Sequence, residues 1–155
     1  MPTFATYTLG CKANQAETAQ IENILKNLGY RKVNFKDPAD NYIINTCTVT
    51  HIADRKSRNF IRQPLKNNPT ARLVVTGCFT ENNISFLKEV GASIVTHSEK
   101  LDASSWEALF PVQTARETSS NKTIPNVRHM VKLQDGCNVF CSYCIVPHVR
   151  SKLHS

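Results

Sequence analysis

Six cysteines carry most of the chemistry in this 155-residue chain, and they fall into two groups of three. Cys137, Cys141 and Cys144 form Cys-x-x-x-Cys-x-x-Cys on one short stretch. Three thiolates at that spacing can take three corners of a 4Fe–4S cube and leave one iron without a protein ligand. That open corner can chelate S-adenosylmethionine through its amino and carboxylate groups, and an electron from the cluster can then break the sulfonium bond to give an adenosyl radical. The same stretch accommodates zinc, with His148 as a fourth ligand, or a redox pair of Cys141 and Cys144. Thiolate and imidazole donors suit several metals, so local spacing leaves all three readings open.

The other three cysteines are far apart in sequence, but each stands where a strand-like run ends. Thr3 to Leu9 is rich in β-branched and aromatic residues and runs into Gly10-Cys11. Tyr42 to Thr46 ends at Cys47, and Ala71 to Thr76 ends at Gly77-Cys78. Helical patterns separate them. Asn14 is placed as an N-cap with Glu17 three residues on, the spacing of a capping box. Ile21, Ile24, Leu25 and Leu28 follow at helical spacing, and Gly29 is a stop signal. A short piece at 31–33 and a turn at 37–40 precede the second strand, and a helix over about 50–63 closes at Pro64. A helix near 82–89, a strand at 92–96 and a helix near 103–109 complete the pattern. Strands alternating with helices predict an α/β fold with a parallel sheet covered on both faces. Such sheets bind ligands beyond the carboxyl ends of their strands, where Cys11, Cys47 and Cys78 would meet on one rim.

The organisation expected is a domain over 1–111, a Thr/Ser/Asn/Lys-rich linker over 112–126, and the start of a second domain over 127–155. The second part holds one strand, Val127 to Leu133, and the dense cysteine loop. A lone strand has unpaired edges, so residues beyond about 112 gain order only by docking on the first domain. The net charge of +7 suits a polyanionic partner such as nucleic acid, although many basic proteins bind none. The amino terminus has no secretory pattern and no stretch nears the ~20 apolar residues that span a membrane. A cytoplasmic protein with no membrane partner is expected, and there cysteines serve as metal ligands or redox thiols rather than as disulfides. His51, His97, His129 and His154 show no partner pattern and read as structural or surface residues.

Four segments together resemble a known family. They are Thr8 to Gln15 (TLGCKANQ), Ile43 to Thr50 (IINTCTVT), Val74 to Cys78 (VVTGC) and Leu133 to Pro147 (LQDGCNVFCSYCIVP). In order and content they resemble the tRNA methylthiotransferases of the radical S-adenosylmethionine superfamily, and GCKANQ is most similar to the subgroup that modifies N6-threonylcarbamoyladenosine beside the anticodon. The resemblance implies a first 4Fe–4S cluster on Cys11, Cys47 and Cys78, holding the sulfur that is delivered to the base. It implies a second, S-adenosylmethionine-binding 4Fe–4S cluster on Cys137, Cys141 and Cys144, with Tyr143 against the adenosine. One S-adenosylmethionine would methylate the bound sulfur, and another would form the radical that takes hydrogen from the adenine carbon. A reductant and a sulfur donor are implied too, neither identified by the residues. Arg55, Arg58 and Arg62 share one helix face and could touch tRNA phosphate, although a solvated basic face is the commoner use of such a pattern.

The family's radical domain is a partial (β/α) barrel, and a whole barrel takes ~250 residues. The chain ends at residue 155, so only 11 residues follow Cys144, and Arg150 is followed by Ser151 where the family usually has glycine. A truncated radical domain, inactive by itself, is expected. The alternative function is a non-enzymatic zinc-binding nucleic-acid module built on Cys137, Cys141, Cys144 and His148.

Overall fold

The computed structural model describes residues 1–113 and 132–150. In chain order the elements are β1 (Thr3–Thr8), α1 (Lys12–Asn27), β2 (Arg31–Lys32), β3 (Asn41–Thr46), α2 (His51–Arg62), α3 (Pro64–Asn67), β4 (Arg72–Gly77), α4 (Ile84–Glu89), β5 (Ser93–Ile94), α5 (Ala103–Leu109) and α6 (Val146–Val149). The strands form one sheet in the order β2-β1-β3-β4-β5, and every adjacent pair is parallel. This is the α/β architecture that the strand–helix alternation predicts.

Burial on both faces explains why the strands read as near-continuous apolar runs. Successive side chains point to opposite faces, so Phe4, Ile43 and Val74 join one core with Ile21 and Leu25 of α1 and Trp106 of α5. Ala5, Tyr42, Ile44, Leu73 and Val75 join the other core with Ile61 of α2 and Phe86 and Leu87 of α4. Helix α2 opens on Thr50, whose hydroxyl accepts from the Ala53 amide at 3.1 Å. Pro64 does end it, and then serves as the first residue of the short α3.

One local expectation is corrected. Helix α1 is capped by Cys11 rather than Asn14, so it starts a turn early. Asn14 and Glu17 are fully buried instead of forming a capping box at solvent. Glu17 turns inward to Lys100 and Lys132 instead of back to the helix terminus, which satisfies the carboxylate where it is buried.

Of the strand expected over 127–133, residues 127–131 lie outside the described residues, and Lys132 and Leu133 are not in a strand. Of the expected linker, 114–126 lies outside them as well. Residues 132–150 pack on the first unit through Lys132, Asp135 and Arg150. Among the described residues no helix is long and apolar enough to cross a membrane.

Candidate metal centre

The strand order places a topological switch between β1 and β3, since the chain leaves β1 for β2 on one side and returns to β3 on the other. In doubly wound sheets the crevice at that switch, beyond the carboxyl ends, is the ligand site. Cys11 follows β1, Cys47 follows β3 and Cys78 follows β4, so two of the cysteines flank the switch and the third stands on the next strand. Cys47 and Cys78 are buried and Cys11 is exposed, which gives the group one open side.

Two glycines let the rim close this tightly. Gly10 has φ +101°, and a Cβ there would lie 2.7 Å from the Cys47 Cβ and 2.9 Å from its sulfur. Gly77 has φ +96°, and its Cβ would lie 2.4 Å from the Thr46 carbonyl oxygen. Only glycine combines that backbone with that proximity. Cys47 is further held by Ser57 of α2, whose hydroxyl donates to the Cys47 carbonyl at 2.9 Å.

The three sulfurs form one electrostatic group. Burial pushes the Cys47 thiol up, the Val49 backbone amide pulls it back, and the neighbouring Cys78 and Cys11 push it up again. The donor set is all thiol, the soft set that selects zinc or iron–sulfur clusters. Zinc at ~2.3 Å from each sulfur draws its ligands to under ~4 Å of one another. Among the described residues, the one set of three metal-capable side chains with ligand atoms all within 4.8 Å is Glu17, His97 and Asp135. Neither cysteine triplet is that tight.

The second triplet lies on an open loop. The Val139 amide faces the Cys137 sulfur at 3.4 Å, the Cys141 amide donates to the Val139 carbonyl at 2.9 Å, and the Cys144 amide donates to the Cys141 carbonyl at 3.1 Å. All three cysteines are half-buried, and Tyr143 is 90% exposed. A depression of about 440 Å³ lies here, lined by Cys141, Tyr143, Cys144 and Ile145 among others. His148, the fourth ligand of the zinc alternative, is exposed and edge-on to Phe140 at 5.8 Å between ring centres.

Between the two triplets lies a buried charge network. Glu17 Oε2 accepts from Lys100 Nζ at 2.6 Å, and Glu17 Oε1 pairs with Lys132 Nζ at 2.6 Å. Lys132 also reaches Asp135 at 2.7 Å. Lys100 can only donate, so His97 Nδ1 accepts from it at 2.6 Å and His97 Nε2–H donates to Asp135 at 2.9 Å. Burial alone would push the Glu17 carboxyl up, but Lys100, Lys132 and Arg150 hold it below its ordinary value. Asp135 is held far below the carboxylate range against burial by His97 and Lys132. Burial in turn pulls Lys100 down, opposed by Glu17. Cations already fill the space between Glu17, His97 and Asp135, so the set is an ion-pair network rather than an ion site.

Asn14 and Arg150 join this network to the first triplet. The Asn14 amide donates to the Leu9 and Thr46 carbonyls at 2.8 and 2.9 Å, tying the Cys11 loop to the end of β3. Sequence reasoning missed Glu17, Lys100, Asp135 and Arg150 as a unit. They are scattered from α1 to α6 with no shared spacing, and Glu17 and Asn14 even mimic a cap.

The three arginines of α2 differ in their surroundings. Arg58 donates to Asp54 at 3.1 Å and to Asn83, and its guanidinium lies over the rings of Phe79 and Phe86. Arg62 lies over Phe86 with an exposed side chain, and Arg55 is exposed. The face is continuous, but Arg58 is committed to the fold.

The fold and the cysteine rim define a class: a doubly wound α/β protein with three cysteines at the carboxyl ends of its strands, around the switch point. Residues 3–103 match the family described as Uncharacterized protein family UPF0004. The chain is 33% identical to the threonylcarbamoyladenosine tRNA methylthiotransferase MtaB of Bacillus subtilis (strain 168), over 100% of this chain and 38% of that protein. It is 38% identical to the protein of the same name from Aquifex aeolicus (strain VF5), over 96% of this chain and 40% of that one. The ribosomal protein uS12 methylthiotransferase RimO of Dictyoglomus thermophilum is 30% identical, over 95% of this chain and 37% of its own length. The chain belongs to this family, which takes in the tRNA methylthiotransferases. It spans less than half the length of these relatives.

Proposed function

We propose that the chain is the cluster-bearing part of an enzyme that transfers a methylthio group to C2 of N6-threonylcarbamoyladenosine beside the anticodon of tRNA. The observation that carries this reading is the convergence of Cys11, Cys47 and Cys78 at the switch point, with the loop of Cys137, Cys141 and Cys144 held against the same unit through the Glu17 network. The similarity to relatives named for threonylcarbamoyladenosine supports that substrate over the alternatives, since the relative named for dimethylallyladenosine in Clostridium novyi (strain NT) is 28% identical.

Two 4Fe–4S clusters and S-adenosylmethionine would supply a bound sulfur, a methyl group and a radical for hydrogen abstraction. The chain's own residues have narrower tasks. Cys11, Cys47 and Cys78 would hold the first cluster, with the exposed Cys11 side open to substrate. Cys137, Cys141 and Cys144 would hold the second, and the exposed Tyr143 would cover the adenosine in the depression beside it. Arg55 and Arg62 are free to meet tRNA phosphate at the surface of α2.

Iron and sulfide analysis after anaerobic reconstitution tests the reading. About 8 iron atoms per chain are expected, falling to about 4 when either triplet is changed to alanine. Zinc in place of iron and sulfide would sink it.

A further inference from the structure

Arg150 touches both a cysteine of the first triplet and the carboxylate that precedes the second. Its Nε–H donates to the Cys78 sulfur at 3.2 Å, and its NH2 group donates to Asn14 Oδ1 at 2.5 Å. Its NH1 group donates to Asp135 Oδ1 at 3.1 Å and lies 3.7 Å from Glu17 Oε1. All three guanidinium nitrogens are therefore engaged, and the residue is only 9% exposed. Asp135 stands two residues before Cys137, so the second cysteine loop begins at the carboxylate that Arg150 grips.

We propose that Arg150 is a positioning residue that docks the carboxy-terminal cysteine loop on the first triplet and donates a hydrogen bond to one of its ligand sulfurs, so that docking and the electronics of the first cluster are one device. This rests on the proposed assignment of a cluster to Cys11, Cys47 and Cys78. Hydrogen bonds to ligand sulfurs and nearby positive charge favour the more negative, reduced state of a cluster and raise its potential. Burial strengthens both effects by keeping water from screening them. A salt bridge serving docking alone would need only Asp135 and Glu17. The Nε–H aimed at sulfur is the feature that docking leaves over. Lysine cannot reproduce it, because one ammonium cannot meet sulfur, amide and two carboxylates at separate points of a planar fork.

The test uses the full chain with Cys137, Cys141 and Cys144 changed to alanine, reconstituted anaerobically with ferrous iron and sulfide. Midpoint potentials of the remaining cluster are read by dithionite titration with electron paramagnetic resonance. Arg150→Met is expected to lower the reduced-to-oxidised ratio at fixed potential about tenfold, which is ~59 mV for a one-electron couple. Arg150→Lys should give a smaller drop in the same direction. In the cluster-free chain, amide exchange across 146–150 should quicken in both variants. Unchanged midpoints in both variants would overturn the sulfur contact, and unchanged exchange would overturn the docking. If Arg150→Met loads no iron, Arg150→Lys decides the electronic claim alone. A parent chain that binds no iron and sulfide would remove the cluster assignment, and the inference with it.

Discussion

Glu17 is 0% exposed to solvent, so its carboxylate depends wholly on partners within the fold. Its two oxygens face two different cations, Lys100 on Oε2 and Lys132 on Oε1, each at 2.6 Å. Glu17→Gln keeps the shape but turns one acceptor into a donor. Whichever way the amide is set, one ammonium loses its charged acceptor on residue 17 and meets an N–H group there, keeping only His97 (Lys100) or Asp135 (Lys132). Lys100 is 1% exposed and cannot turn to water. Removing one partner of a buried pair costs about 3–5 kcal/mol, because the other charge is left uncompensated. With a urea m-value of about 2 kcal/mol/M, the unfolding midpoint should fall by roughly 2 M. The double variant Glu17→Gln, Lys100→Met should recover a large part of that loss, because the fully buried ammonium is gone and the amide oxygen can still accept from Lys132. Urea unfolding of the cluster-free chain, followed by far-ultraviolet circular dichroism, measures both. A single-variant midpoint within about 0.3 M of the parent would refute the claim that the network stabilises the fold.

The same carboxylate sets an acid limit. Its folded value lies below the ordinary 4.5, so its contribution is present above that pH and lost as pH falls through the lower folded value; urea midpoints should be level from neutral pH to about 5 and then drop, with a shallower drop in Glu17→Gln. An identical acid profile in the variant would count against this. Gly10→Ala places a Cβ 2.7 Å from the Cys47 Cβ at φ +101°, which should cost about 1–3 kcal/mol and reduce iron bound by the first triplet, read by iron analysis with the second triplet changed to alanine. Full iron loading would show that the rim has more room than the geometry allows. Trp106→Ala removes a fully buried ring and its Nε1–H bond to the Lys100 carbonyl at 2.8 Å, and should cost about 3–5 kcal/mol by denaturant unfolding. A loss under about 1 kcal/mol would mean that the core beneath Lys100 repacks without it.

The amino-acid sequence by itself determined the parallel α/β unit, because strand periodicity, β-branched content and intervening helical spacing are local signals that agree with one another. Tyr42 to Ile44 and Leu73 to Val75 are apolar on both faces, and that alone points to a sheet covered on both sides. It also put Cys11, Cys47 and Cys78 at strand ends, since each follows such a run. What only the tertiary structure decided is how those ends are spaced and what surrounds them. The switch between β1 and β3 depends on strand order, which no single element encodes. Asn14 and Glu17 look like a helix cap in sequence and become the junction of a buried network, because a carboxylate's partners are set by which distant cations the fold brings near it. Lys100, Lys132 and Arg150 approach Glu17 from three separate segments. Coulomb energy depends on distance and burial, and sequence separation carries neither. The hydrogen bond from Arg150 to the Cys78 sulfur, across 72 positions of chain, is the clearest case.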